Sequence, residues 1–140
     1  MRLRAPRADE EGSVLLLTLG YALLAMVAVL ICVDATSLYL AQKRLDGLAD
    51  AAALAGADGF TISVAHGEPQ AELESDAVRA QAEALVASVG GGAVLVSAGS
   101  PDGLSARVTV AGSWLPPILM LFVPEGVALE ATATSRTALL

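Results

Sequence analysis

Residues Ser13 to Val33 read SVLLLTLGYALLAMVAVLICV, 21 residues without a charge. At a helical rise of ~1.5 Å per residue the run spans roughly 31 Å, the thickness of a bilayer's hydrocarbon core. A soluble core helix of this length carries a polar stripe. Here only Ser13, Thr18, Gly20 and Tyr21 depart from the apolar pattern. The run therefore reads as a transmembrane helix over 13–33.

Arg2, Arg4 and Arg7 precede the run, and the next bases are Lys43 and Arg44. Basic residues are retained on the cytoplasmic side, so residues 1–12 are expected in the cytoplasm and 34–140 outside the inner membrane. Two processing routes stay open beside this single-pass reading. Val33-Asp34-Ala35 offers a small-residue cleavage site before Thr36, which would make a secreted protein. Cys32 offers a lipidation site, although Ile31 precedes it where a small residue is expected.

Composition narrows the possibilities for the rest. The chain of 140 residues is 55% hydrophobic but only 4% aromatic, with a mean hydropathy of +0.65. Ala and small aliphatic side chains must then form the core, and each buries little area. The net charge is −7, and from Asp34 onward twelve acids face five bases. Nucleic-acid binding needs a basic surface, so that class is excluded. One Cys and one His supply neither a disulfide nor a metal-ligand set, and no cofactor is expected.

Beyond the anchor, residues 34–58 read DATSLYLAQKRLDGLADAAALAGAD, rich in good helix formers. Leu38, Ala41, Leu45, Leu48, Ala49, Ala52 and Ala55 recur at helical spacing, which predicts a packing stripe, with Gln42, Lys43, Asp46 and Asp50 on the opposite side. The expected element is one helix that leaves the membrane and ends near Gly56 to Gly59.

Residues 60–137 are expected to form a sheet and a helix. Phe60–Ala65 reads as a short strand, and Gly67-Glu68-Pro69 as a break that starts a second helix, with Pro69 at its first position and Gly90-Gly91-Gly92 as its stop. Asp76 and Arg79 are spaced to pair on that helix. Ala93–Ser97 is a short apolar run. Leu104–Val110 and Val127–Thr134 alternate apolar and polar residues, the period of half-buried strands. The fold class is therefore α+β: a long N-terminal transmembrane-plus-amphipathic helix, then a small antiparallel sheet with a packed helix.

Between the last two strands lies SWLPPILMLFVP, containing Trp114, Ile118, Leu119, Met120, Leu121 and Phe122. It is too short to span a bilayer. Two readings remain: a buried crossover plugging one end of the domain, or an exposed apolar patch that meets a partner or the membrane surface.

Catalytic signatures are missing. There is no G-x-S-x-G and no glycine loop followed by a Lys, and His66 is a lone histidine beside a glycine. No small-molecule substrate is evident, and an enzyme is not expected.

The segment from about Glu10 to Gly59 resembles the TadE/TadG-like proteins, minor-pilin or pseudopilin-like components of tight-adherence (Flp) pilus assembly. The resemblance rests on Glu11-Gly12-Ser13 opening the apolar run, Asp34 closing it, Gln42-Lys43-Arg44-Leu45, and the Ala-rich run Leu48-Ala49-Asp50-Ala51-Ala52-Ala53-Leu54-Ala55. It implies a small α+β domain, and as partners membrane lipid and other small pilin-like or Tad-system membrane proteins. Type IV-like pilins are cut after a Gly and carry Glu at the fifth mature position. Cutting between Gly12 and Ser13 would place Leu17 there. The resemblance thus implies an uncut anchored accessory protein in preference to a cleaved minor pilin. The other functional class left open is a single-pass, envelope-anchored module that binds an envelope ligand.

Overall fold

Nothing between Ala8 and Ala57 interrupts a helix: the stretch lacks proline and is dominated by Leu and Ala. In the computed structural model, which describes residues 8–136, it forms a single helix of 50 residues, α1 (Ala8–Ala57), about 75 Å long at the standard rise. Arg2, Arg4 and Arg7, on which the orientation depends, lie outside the described residues. Every residue from Gly12 to Val33 is exposed, and Asp34 is the first buried one. α1 is long and apolar enough to cross a membrane.

After α1 come β1 (Thr61–Ala65), β2 (Glu68–Glu72), α2 (Ser75–Val89), β3 (Val94–Gly99), β4 (Ser105–Trp114), a 3-10 turn (Leu119–Leu121) and β5 (Val127–Arg136). The architecture is α+β. β3, β4 and β5 form an antiparallel sheet with β4 central, and β1 and β2 form a separate hairpin. The lower half of α1 packs on β4, β5 and α2, while α2 also meets β3.

Alternation in β4 and β5 decides which face is covered. Val108 lies opposite Ala133 and Val110 opposite Ala131, and all four are buried. On the other face, the Thr109 and Thr132 hydroxyls share a hydrogen bond of 2.8 Å, and the Arg107 Nε–H donates to Thr134 Oγ1 at 3.3 Å. In β3 the register slips between Leu95 and Ser97. That bulge brings Leu95 and Ala98 both onto the core side. α1 contributes Leu45, Ala49, Ala52, Ala53 and Ala57, and α2 contributes Val78, Ala82 and Val86. These small side chains allow helix and sheet to approach closely.

The start of the second helix differs from the sequence expectation. Pro69 stands in β2, opposite Val64, not at a helix N-terminus. His66 (φ 57°) and Gly67 (φ 85°) both occupy the left-handed region, which is the requirement of a tight two-residue hairpin turn. That turn folds residues 68–72 back on β1. Pro69 lacks a donor, and a two-stranded hairpin with open outer edges tolerates this. α2 begins only at Ser75, after the Leu73 N–H reaches Gly103 O at 2.9 Å. The Asp76–Arg79 pair does not form; among the described residues the one ion pair joins Lys43 and Asp46 at 3.2 Å.

Gly56 also differs in role. α1 ends at Ala57, within the expected range, but Gly56 is also buried and so has a packing role beside that of a stop. A Cβ there would meet Val78 Cγ1 at 2.9 Å and Ala106 Cβ at 3.4 Å. Gly47 has open space around it. Gly56→Ala is expected to destabilise the protein by about 1–2 kcal/mol, because stiff Val78 must move. Gly47→Ala is expected to stabilise by about 0.5–1 kcal/mol through helix propensity alone. Thermal unfolding of the full chain in detergent checks the opposite signs.

Asp102 fixes the β3–β4 turn. Its Oδ1 accepts from the Ser105 hydroxyl and N–H, both at 2.7 Å, and from the Leu104 N–H at 3.0 Å. Those bonds favour the ionised form, led by the Ser105 hydroxyl, and hold its pKa down at about 2. A depressed carboxyl stabilises above the unfolded value near 3.8 and loses that contribution as pH falls toward 2. Asp102→Ala is therefore expected to lower the melting temperature at pH 7 and to reduce its fall between about pH 4 and 2, by calorimetry across that range.

Candidate functional site

Two surfaces are singled out by the sequence: the stripe on α1 and the apolar segment between β4 and β5. In the stripe, Leu45 and Ala52 are buried, and Leu38, Ala41, Leu48 and Ala55 are half-buried against the domain. Ala53, Gly56 and Ala57 are buried too, although the sequence stripe did not include them. The face is wider than a simple i, i+3, i+4 row because a helix of Ala and Gly sits deeper between α2 and β4. Gln42 is not on the far side. Its Nε2–H donates to Glu130 O of β5 at 3.1 Å and to Asp46 Oδ1 at 3.0 Å. The Gln42 amide, then the Lys43 ammonium, lower the Asp46 pKa; Asp46 in turn raises that of Lys43.

The second surface meets the first at a single level on α1. The Trp114 indole N–H donates to Ser37 Oγ at 3.0 Å. One turn nearer the N-terminus, Asp34 Oδ1 accepts the Ile118 N–H at 3.1 Å, while its Oδ2 is buried without a hydrogen bond to the protein. Pro116 is fully buried at this junction. Trp114 and Ile118 are half-buried, whereas Leu119, Met120, Leu121 and Phe122 are exposed. The segment thus plugs the end of the domain with its first half and turns its second half outward. The part played by Asp34 is not visible in a strand-and-stripe reading, because its partner lies 84 residues away in sequence. The one sequence signal was a charge placed directly after an apolar run.

Gly12 and Ser13 lie inside α1, in a continuous exposed stretch of helix. Farther along, a shallow groove of about 610 Å³ follows α1 across the end of the apolar run, lined by Ala28, Cys32, Thr36, Leu40 and Arg44 at four-residue intervals. A second cleft of about 550 Å³ opens between Ala41, Arg44 and Leu48 of α1 and the Gly90–Gly92 turn. Its lining offers backbone groups, the Ser113 hydroxyl and the Arg44 guanidinium. His66 projects from the hairpin turn, exposed. Among the described residues no three His, Cys, Asp or Glu side chains converge as metal ligands would.

Residues 12–59 match the family described as putative Flp pilus-assembly TadE/G-like. Over those residues, well under half of the chain, α1 is similar to that family. No curated protein and no solved structure matches the chain. The matched segment covers the exposed apolar run and the docked half of α1 and stops at the end of that helix, before the sheet begins. Asp34 sits at its midpoint, where exposure gives way to burial.

If Asp34 holds the β4–β5 connection, its loss frees the Ile118 amide locally. Asp34→Ala is expected to speed hydrogen exchange at Ile118 by roughly fivefold or more, the equivalent of about 1 kcal/mol for one hydrogen bond. Amides of β4 paired with β5 should keep their protection. Residue-resolved exchange on the full chain in detergent makes the comparison.

Proposed function

We propose that this protein is a membrane-anchored, non-catalytic structural or assembly component of a Tad/Flp-type pilus or secretion apparatus, minor pilin- or pseudopilin-like in its plan. The observation that carries the reading is the TadE/G-like match over the very residues that form the anchor and its docked continuation. α1 crosses the inner membrane once, with residues 1–12 in the cytoplasm and the α+β domain outside, as the placing of Arg2, Arg4 and Arg7 supports. Its partners are lipid and other small single-pass proteins of the same system.

The groove along Ala28, Cys32, Thr36 and Leu40 is where a second helix fits best. Small residues at four-residue spacing let helices approach, and packing drives association within lipid. Ala41 and Ala52 serve the domain's own core instead, half-buried and buried respectively. A photo-crosslinking residue in place of Thr36 or Leu40 is expected to capture other small single-pass Tad-system proteins in cells, while one in place of exposed Asp50, beyond the groove, is not. Monomer alone from all three positions, with the pilus system expressed, would overturn the assembly role in favour of an envelope-anchored binding module. A periplasm-active reporter fused after Leu140 is expected to be active and a cytoplasm-active one silent; the reverse pattern would invert the orientation.

A further inference from the structure

The segment from Trp114 to Pro124, WLPPILMLFVP, contains no charged residue, and Glu125 is the first after it. Leu121 and Phe122 are 91% and 80% exposed, and Leu115, Leu119 and Met120 beside them are exposed as well. Other exposed large apolar residues of the domain, such as Ile62 and Val64 on β1 and Val94 on β3, stand on other elements. The patch is thus local to this connection. Its place relative to α1 says what covers it.

Ile118 and Trp114 are tied to Asp34 and Ser37, which lie within one turn of each other and directly after the apolar run. Along the run itself the least exposed large side chains are Leu30 (38%) and Val33 (44%). Leu30, Val33, Asp34 and Ser37 share one helix face by their spacing. The connection therefore sits against the last turns of the anchor, at the level where the helix leaves the bilayer.

The backbone suits such a setting. The Phe122 and Val123 N–H groups both reach Leu119 O, at 2.8 and 2.9 Å, and the Gly126 N–H reaches Val123 O at 3.2 Å. The Ile118 N–H is taken by Asp34. A turn that meets these needs internally can enter a medium poor in water without stranding those donors.

We propose that residues 115–123 form a foot that inserts into the interfacial layer of the same membrane α1 crosses, with Leu121 and Phe122 its deepest side chains. The inference rests on α1 being a membrane anchor. Lipid is chosen over a protein partner because two hydrogen bonds, Ile118 to Asp34 and Trp114 to Ser37, hold this uncharged connection at the end of the apolar run. The foot gives the domain a second point on the bilayer, which limits how far α1 and the domain can tilt away from the foot's side.

The test uses the full chain with Cys32→Ser, since Cys32 is an exposed free thiol. Single cysteines at Leu121→Cys, Phe122→Cys, Leu24→Cys and Val64→Cys are labelled with an environment-sensitive fluorophore. Each protein is reconstituted in phosphatidylethanolamine–phosphatidylglycerol vesicles containing acyl-chain spin-labelled lipid. Both foot positions are exposed, so replacing either removes little packing. Quenching at Leu121 and Phe122 is expected to exceed that at Val64 by about twofold or more, as for an apolar segment seated at the headgroup–acyl boundary. Quenching at Leu24 with none at either foot position would overturn the foot while the anchor stands. Blue-shifted but unquenched emission at the foot would mean that a second copy or another protein covers it, and would overturn it too. No quenching at Leu24 or at the foot would remove both the anchor and the inference built on it.

Discussion

The fold depends on close approach between α1 and the sheet, permitted because the last turns of its docked face, from Ala49 to Ala57, carry nothing larger than a methyl. Ala49, Ala52, Ala53 and Ala57 are buried, and Gly56 has no side chain where Val78 and Ala106 press closest. Opposite them, β4 and β5 supply Ala106, Val108, Val110, Ala131 and Ala133. Leu45 and Leu73 are the only buried leucines among the described residues. A core of this kind offers modest area per residue, so much of its cohesion rests on tight contact. Larger side chains at Ala52 or Gly56 would push the helix off the sheet and open gaps around the valines of α2. Tolerance to enlargement is therefore low on this face and high on the outer one, where Gly47, Asp50 and Ala51 meet open surroundings.

Much of this was legible in residue order because it follows from simple periods. The uncharged run over 13–33, the helical recurrence from Leu38 to Ala55, and the alternation of β4 and β5 each need only local sequence. What was not legible involved either turns or distance. Pro69 looks like a helix start when read by itself. It becomes a strand residue because His66 and Gly67 accept positive φ and return the chain on Thr61–Ala65. Gly56 looks like a helix stop, and its packing role depends on Val78 and Ala106, residues from two other elements. Gln42 looks like a solvated polar residue until β5 brings the Glu130 carbonyl beside it. The site was half legible: the apolar segment is plain in sequence, while its attachment to Asp34 and Ser37 joins positions that no local pattern links.

Asp34 shows how one residue can serve two boundaries. It ends the uncharged run, and with it the continuously exposed part of α1. It also holds the Ile118 N–H, so the closing end of the sheet is registered to that same point on α1. Trp114 repeats the registration through Ser37. A burial such as that of the Asp34 carboxyl costs free energy unless bonds offset it, and only one of its oxygens is bonded. The carboxylate thus acts at the junction by position, holding the β4–β5 connection against α1.

Continuity of α1 carries a mechanical consequence. A flexible linker between the apolar run and the domain would let either turn without moving the other. Here the helix that carries the apolar run is the helix that forms one wall of the core, with no proline between Ala8 and Ala57. Any neighbour that grips the anchor near Cys32 and Thr36 also fixes the direction in which the sheet and the β1–β2 hairpin project. In an assembly held by lateral helix contacts, the spacing and rotation of the spans would therefore be transmitted directly to the domains. The marginal, Ala-rich core does not need to resist large internal shear for this, because α1 belongs to both parts and the load passes along its own backbone hydrogen bonds.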